Sequence, residues 1–172
     1  MTEVDNIVEL NNIISSIFRN DESKEEFLKH YANVFFNQNK GFDVWYGKGN
    51  NGKTLLFKLF ERTFVKNITF LPGDILRKRP KIERIRKTFN FNVKMCCITE
   101  TNEKINEDCV NDLLRECKTI LLITNTLDIL PENIDANIIN FESIFSSNSV
   151  LFEKLEDPSY CDAFMEILKS KL

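Results

Sequence analysis

The sequence is poor in the residues that punctuate a chain, with 5 glycines and 4 prolines among 172 residues. Loops should therefore be few and elements long. It carries a single histidine, His30. Without a second one, a histidine-based metal site or a Ser-His-Asp triad lacks its parts, and His30 reads as structural or exposed. The 5 cysteines, Cys96, Cys97, Cys109, Cys117 and Cys161, are odd in number and form no C-x-x-C pair. That pattern argues against a disulfide framework or a zinc ribbon and for reduced thiols. Net positive charge is also missing. A formal charge of -3 excludes a global electrostatic footprint for nucleic acid, so any phosphate backbone would have to meet a local patch. The N-terminus lacks a basic region followed by an apolar one, and no apolar run approaches a membrane span. The expectation is a soluble, intracellular protein with no membrane partner.

What is present is ordinary globular composition enriched in phenylalanine, 15 in all, in a chain long enough to bury a core without staples. One stretch stands out, Phe42-Asp-Val-Trp-Tyr-Gly-Lys-Gly-Asn-Asn-Gly-Lys-Thr54. Phe42, Val44, Trp45 and Tyr46 suit a buried strand, and Leu55, Leu56, Leu59, Phe60, Thr63 and Phe64 recur at helical spacing. Between them, Gly47, Gly52, Lys53 and Thr54 satisfy G-x-x-x-x-G-K-[ST]. Glycines in such a loop let successive backbone N–H groups turn around a polyphosphate, and the helix that follows points its positive end at the same charge. Gly47, Gly49, Asn50, Asn51, Gly52, Lys53 and Thr54 are thus the candidate ATP-binding residues. Lys53 would reach the outer phosphates and Thr54 would ligate Mg2+.

Around this loop the chain reads as alternating helices and strands. Val4–Phe18 shows one apolar helical face, and Ser23 with Glu26 has capping-box spacing for a helix from Lys24 to about Asn37. Ile68–Leu71 is a short strand. Residues 77–87 form the densest basic run; Arg77, Lys78, Arg79, Arg84 and Arg86 fit either a solvated face or a nucleic-acid backbone contact. A buried strand, Phe91–Glu100, ends in a carboxylate. Glu100 is placed either to serve the metal and the attacking water, or simply to end a strand. After a helix over Ile105–Cys117, the strand Thr119–Asn125 ends in an amide; Asn125 could bond the terminal phosphate, position water, or cap the next turn. Ile138–Phe141 is a final strand, a Ser/Asn-rich bend follows Phe145, and Asp157-Pro158 opens a terminal helix. The expectation is a three-layer α/β domain on a mostly parallel sheet. Residues 1–40 form a helical lead-in, 41–150 the core and 151–172 a C-terminal helix.

The ordered trio of loop, strand ending in Glu100 and Ile-Thr-Asn125 before a Leu-Pro closely resembles superfamily 3 helicases, in particular the primase-helicase branch of large DNA viruses and mobile elements. The resemblance also covers Phe18-Arg-Asn-Asp-Glu-Ser and Ile139-Asn-Phe-Glu-Ser-Ile-Phe145. It implies an AAA+-like P-loop ATPase core acting as a ring on single-stranded DNA in replication, in the cytoplasm or at a replication site. Lys53 and Thr54 then match the phosphate and Mg2+ contacts, Glu100 the Walker B acid and Asn125 the sensor asparagine; Glu100 would share the metal with Thr54. Two departures stand beside it. Where the family places an arginine that reaches the neighbouring subunit, this chain has Ala136-Asn137-Ile138, and the segment 101–124 is short for a DNA-gripping hairpin. The alternatives are a nucleotide-binding assembly module that works with a homo-oligomeric or replication-protein partner, and a P-loop small-molecule kinase.

Overall fold

A computed structural model describes residues 3–78, 82–99, 101–145 and 149–172. Five strands form one sheet: β1 (Gly41–Tyr46), β2 (Ile68–Phe70), β3 (Met95–Ile98), β4 (Thr119–Thr124) and β5 (Asn137–Asn140). The order across it is β2-β3-β4-β1-β5, and every pairing is parallel. Parallel neighbours cannot be joined by tight hairpins, so each connection must cross over. Helices α3 (Lys53–Thr63), α4 (Ile82–Thr88) and α5 (Glu107–Glu116) lie in the first three connections, whereas β4 leads to β5 without a helix; α1 (Glu3–Ile17) and α2 (Asp21–Phe36) precede β1, and α6 (Ser149–Lys154) and α7 (Pro158–Lys169) follow β5. A 3-10 turn, Gly73–Leu76, precedes α4. The class is α/β with a sheet flanked by helices, consistent with a three-layer P-loop NTPase-like fold.

The chain divides into two compact units that alternate along the sequence. One comprises 37–47 and 66–140 and holds the sheet with α4 and α5. Phe42, Val44, Cys96, Ile98, Ile120 and Leu122 pack in its core with Ile75, Leu76, Val110 and Leu113. The intervening strand residues Trp45, Met95, Cys97 and Leu121 are fully buried as well. Strands buried on both faces read as continuous apolar runs, which is why Met-Cys-Cys-Ile and Ile-Leu-Leu-Ile show no polar alternation.

The other unit comprises 1–36, 48–65 and 141–172. Here α7 packs on α1, α2 and α3, and phenylalanines fill the space. Phe60 lies at the centre, its ring centroid 4.9 Å from those of Tyr31 and Phe164 and 5.6 Å from that of Phe35. Phe35 in turn stacks on Phe64 at 3.7 Å. Rings of this size bury large areas at low entropic cost, which accounts for the excess of phenylalanine.

Several elements differ from their sequence-based bounds for local reasons. α2 begins at Asp21, because Asn20 Oδ1 accepts the Ser23 N–H at 2.8 Å and supplies the cap expected from Ser23. Residues 91–94 are not strand: Asn90 Oδ1 accepts the Asn92 N–H at 2.9 Å, an Asx turn that diverts the backbone until Met95. α5 starts beyond Ile105, at Glu107, after Asn106 caps it through the Asp108 N–H. α6 begins at Ser149, the last residue of the expected bend, whose other residues, 146–148, lie outside the described ones. Asp157 caps α7 through the Ser159 N–H at 2.9 Å with Pro158 opening the helix, as its sequence indicates.

Candidate functional site

From Tyr46 the chain runs through residues 47–52 as loop and bends and enters α3 at Lys53. Three loop residues have positive φ: Gly49 at 108°, Asn50 at 48° and Gly52 at 83°. Asparagine tolerates the left-handed region, and glycine enters it without penalty. Gly52 is required on a second count. A Cβ there would lie 2.7 Å from Ile17 Cγ1 and 2.9 Å from Ile17 Cγ2, and Ile17 is itself buried in the helical unit. The end of α1 therefore abuts the loop backbone.

The segment after β5 braces the same loop. Asn51 is buried; its Nδ2 donates to the Phe141 carbonyl at 3.1 Å and its Oδ1 accepts the Lys53 N–H at 3.4 Å. The Phe145 N–H donates to the Asn50 carbonyl at 2.9 Å. Gly52 itself offers no cap side chain to α3, and beyond the Lys53 N–H, which Asn51 takes, the N–H groups of the first turn can serve an anion. Thr54 is exposed on that turn, whereas Lys53 is buried, and burial pushes its ammonium below the ordinary lysine value. A polyanion is the kind of ligand that offsets such desolvation. The loop thus brings together a helix start with glycine at its cap, three positive-φ residues, a lysine and a hydroxyl.

In the sheet unit, β1 and β4 run in register from Gly41 opposite Thr119 to Tyr46 opposite Thr124. The Gly47 N–H donates to the Thr124 carbonyl at 3.4 Å. Asn125 follows at once on an exposed bend; Thr124 Oγ1 donates to the Thr126 carbonyl at 3.0 Å and turns the chain. Gly47 and Asn125 therefore sit at the carboxyl ends of adjacent strands, where open parallel sheets bind ligands. β3 lies beyond β4, about 10 Å from β1 at ordinary strand spacing. Glu100 and Arg79 lie outside the described residues.

One polar pair was not foreseen from sequence. Asp43, buried in the middle of β1, accepts from Asn137 Nδ2 at 3.1 Å across the β1–β5 pairing. The amide of Asn137, at the position where the resembled family places an arginine, is engaged within its own chain.

The basic run divides by partner. Arg77 pairs with Glu103. Arg86 makes a forked pair with Glu116, Nε to Oε2 at 2.7 Å and Nη2 to Oε1 at 2.8 Å, which holds Arg86 above and Glu116 below their ordinary values. Lys78 and Arg84 are exposed and form no ion pair among the described residues. No cluster of His, Cys, Asp and Glu able to hold a metal occurs among the described residues, and no helix there is long and apolar enough to cross a membrane.

No protein-family model matches the chain. A curated relative, "Putative helicase 121R" of Invertebrate iridescent virus 3, is 30% identical over 97 residues, 51% of this chain and 10% of the relative. Two solved apo structures of the NrS-1 C-terminal region share the fold at 14% identity, with TM-scores of 0.63 and 0.60; each match covers 93% of this chain and 44% of that one. The relative bears a helicase name, and the solved structures show a shared fold. The chain spans about a tenth of the length of the curated relative it matches.

Proposed function

We propose that the chain is a Mg-ATP-binding, superfamily 3 helicase-like ATPase module of AAA+ type that acts on single-stranded DNA in viral or mobile-element replication. The observation that carries the reading is the loop. Its positive-φ backbone opens directly onto α3 with glycine at the cap, and it is braced by Asn51 and Ile17. Lys53 and the first-turn N–H groups bind the phosphates, and Thr54 presents a metal-ligating hydroxyl. Mg2+ supplies charge neutralisation of the transferred phosphoryl group. Glu100 accepts the proton of the attacking water, and Asn125 orients that water at the end of the strand beside β1. An oligomeric ring is the assembly this reading implies.

A second reading is favoured by the Asn137–Asp43 bond. The amide there is held internally and carries no charge, so β5 offers the neighbouring nucleotide no cation, and turnover would be slow unless a partner supplies one. The chain would then act as a nucleotide-dependent assembly module. Steady-state ATP hydrolysis with and without single-stranded DNA decides between the two. The ATPase reading expects DNA-stimulated turnover that Glu100→Gln lowers by roughly 100-fold or more while ATP binding persists; undiminished turnover in Glu100→Gln removes Glu100 from the mechanism.

A further inference from the structure

The sheet unit contains a cavity of about 410 Å³ between the 3-10 turn and α4. Ile75, Ile85 and Phe89 provide apolar lining, while Lys78, Arg84 and Thr88 supply polar groups. Ile75 and Ile85 are buried and Phe89 is half-buried. The Thr88 hydroxyl is turned back onto the Arg84 carbonyl at 3.1 Å. Asp74 also lines the cavity and is exposed.

We infer that this cavity is a subsite for one unstacked base of a single-stranded nucleic acid, with Lys78 and Arg84 contacting the phosphates on either side of it. Three observations converge. The cavity is concave and apolar beside an aromatic ring, the environment that accepts a base face. Among the described residues its two cations form no ion pair, in contrast with Arg77 and Arg86, which Glu103 and Glu116 occupy. They stand in a chain of net charge -3, so the local charge complements a polyanion where the molecule as a whole does not. Asp74 gives the site an acceptor for an exocyclic amino group. The occupant deduced is a base together with its flanking phosphates, because an apolar ligand leaves both cations unused and a bare anion leaves the apolar lining unused. This inference rests on the proposed nucleic-acid role and adds to it the reading of a base.

The test compares fluorescent 12-mers of deoxythymidine, deoxyadenosine and an abasic sugar-phosphate chain, binding the full chain at several salt concentrations. A base subsite predicts about tenfold tighter binding of the base-bearing strands than of the abasic one. Phe89→Leu, which keeps the apolar filling, should erase most of that difference while leaving the salt slope in place. Lys78→Gln and Arg84→Gln should each lower the slope by about one. Equal affinity for abasic and base-bearing strands, with the two cation variants still weakened, would refute the base subsite and leave a backbone contact. Absence of binding to every strand would overturn the nucleic-acid role itself. An acidic peptide that binds in place of the strands would assign the cavity to a protein partner and overturn the inference.

Discussion

Lys53 and Gly52 carry opposite kinds of cost. Lys53 is buried, and desolvation lowers its ammonium below the ordinary lysine value, a cost that phosphates of a bound nucleotide would offset. Lys53→Met should remove nucleotide binding while leaving the fold in place, read as an unchanged circular-dichroism spectrum with no rise in melting temperature on adding Mg-ATP; a variant that keeps that rise would contradict the role of the lysine. Gly52→Ala combines a left-handed backbone with a 2.7 Å collision and should cost roughly 2–4 kcal/mol. The collision is with Ile17, so Ile17→Ala and Gly52→Ala together should be less damaging than the sum of their separate effects. Denaturant unfolding of the four proteins measures this, and strict additivity would contradict the contact.

At the scale of elements, the helical unit depends on rings and on the α1–α7 contact. Phe60 touches rings from α2 and α7, and Phe60→Ala should cost about 3–5 kcal/mol, read as an earlier denaturant midpoint. Across α1 and α7, Asn6 Nδ2 donates to Ser159 Oγ at 2.8 Å and the Tyr160 hydroxyl to Glu9 at 2.5 Å, while Lys154 pairs with Glu9. The bonds from Lys154 and Tyr160 hold the Glu9 carboxyl below its ordinary value. A lowered carboxylate contributes stability that is present above its ordinary range and lost as pH falls through its folded value. Melting temperature should accordingly fall on acidification below the ordinary carboxylate range, and Glu9→Gln should flatten that fall; an unchanged acid profile would remove Glu9 from the effect. Most elements were legible because their patterns are local. β1, α3, β4 and α7 announce themselves through apolar period and caps. α6 was not legible, since six residues are too few to show a helical period and none of them is fully buried. The start of β3 was misread because an Asx turn at Asn90 outcompeted the apolar run Phe91-Asn-Val. In the loop, the residue types were legible but their support was not. Asn51 reaches Phe141, 90 residues away, and Gly52 meets Ile17, contacts no local spacing encodes.

For the whole molecule, the sequence weaves between two compact units, and residues 141–172 return to the helical one. That return brings α7 onto α1, α2 and α3 and braces the loop through Phe141 and Phe145. Removing residues 141–172 should thus abolish both the helical unit's cooperative unfolding and nucleotide binding, as followed by circular dichroism and ligand titration. A truncated chain with intact affinity would show that the brace is dispensable. The central claim is that this loop holds a Mg-nucleotide, and calorimetric titration of the intact chain with Mg-ATP, against Lys53→Ala, tests it most directly. Saturable one-site binding to the natural chain, weakened about 10- to 100-fold in Lys53→Ala, is the result expected. Equal affinity in the two proteins, or none in the natural chain, would contradict the account.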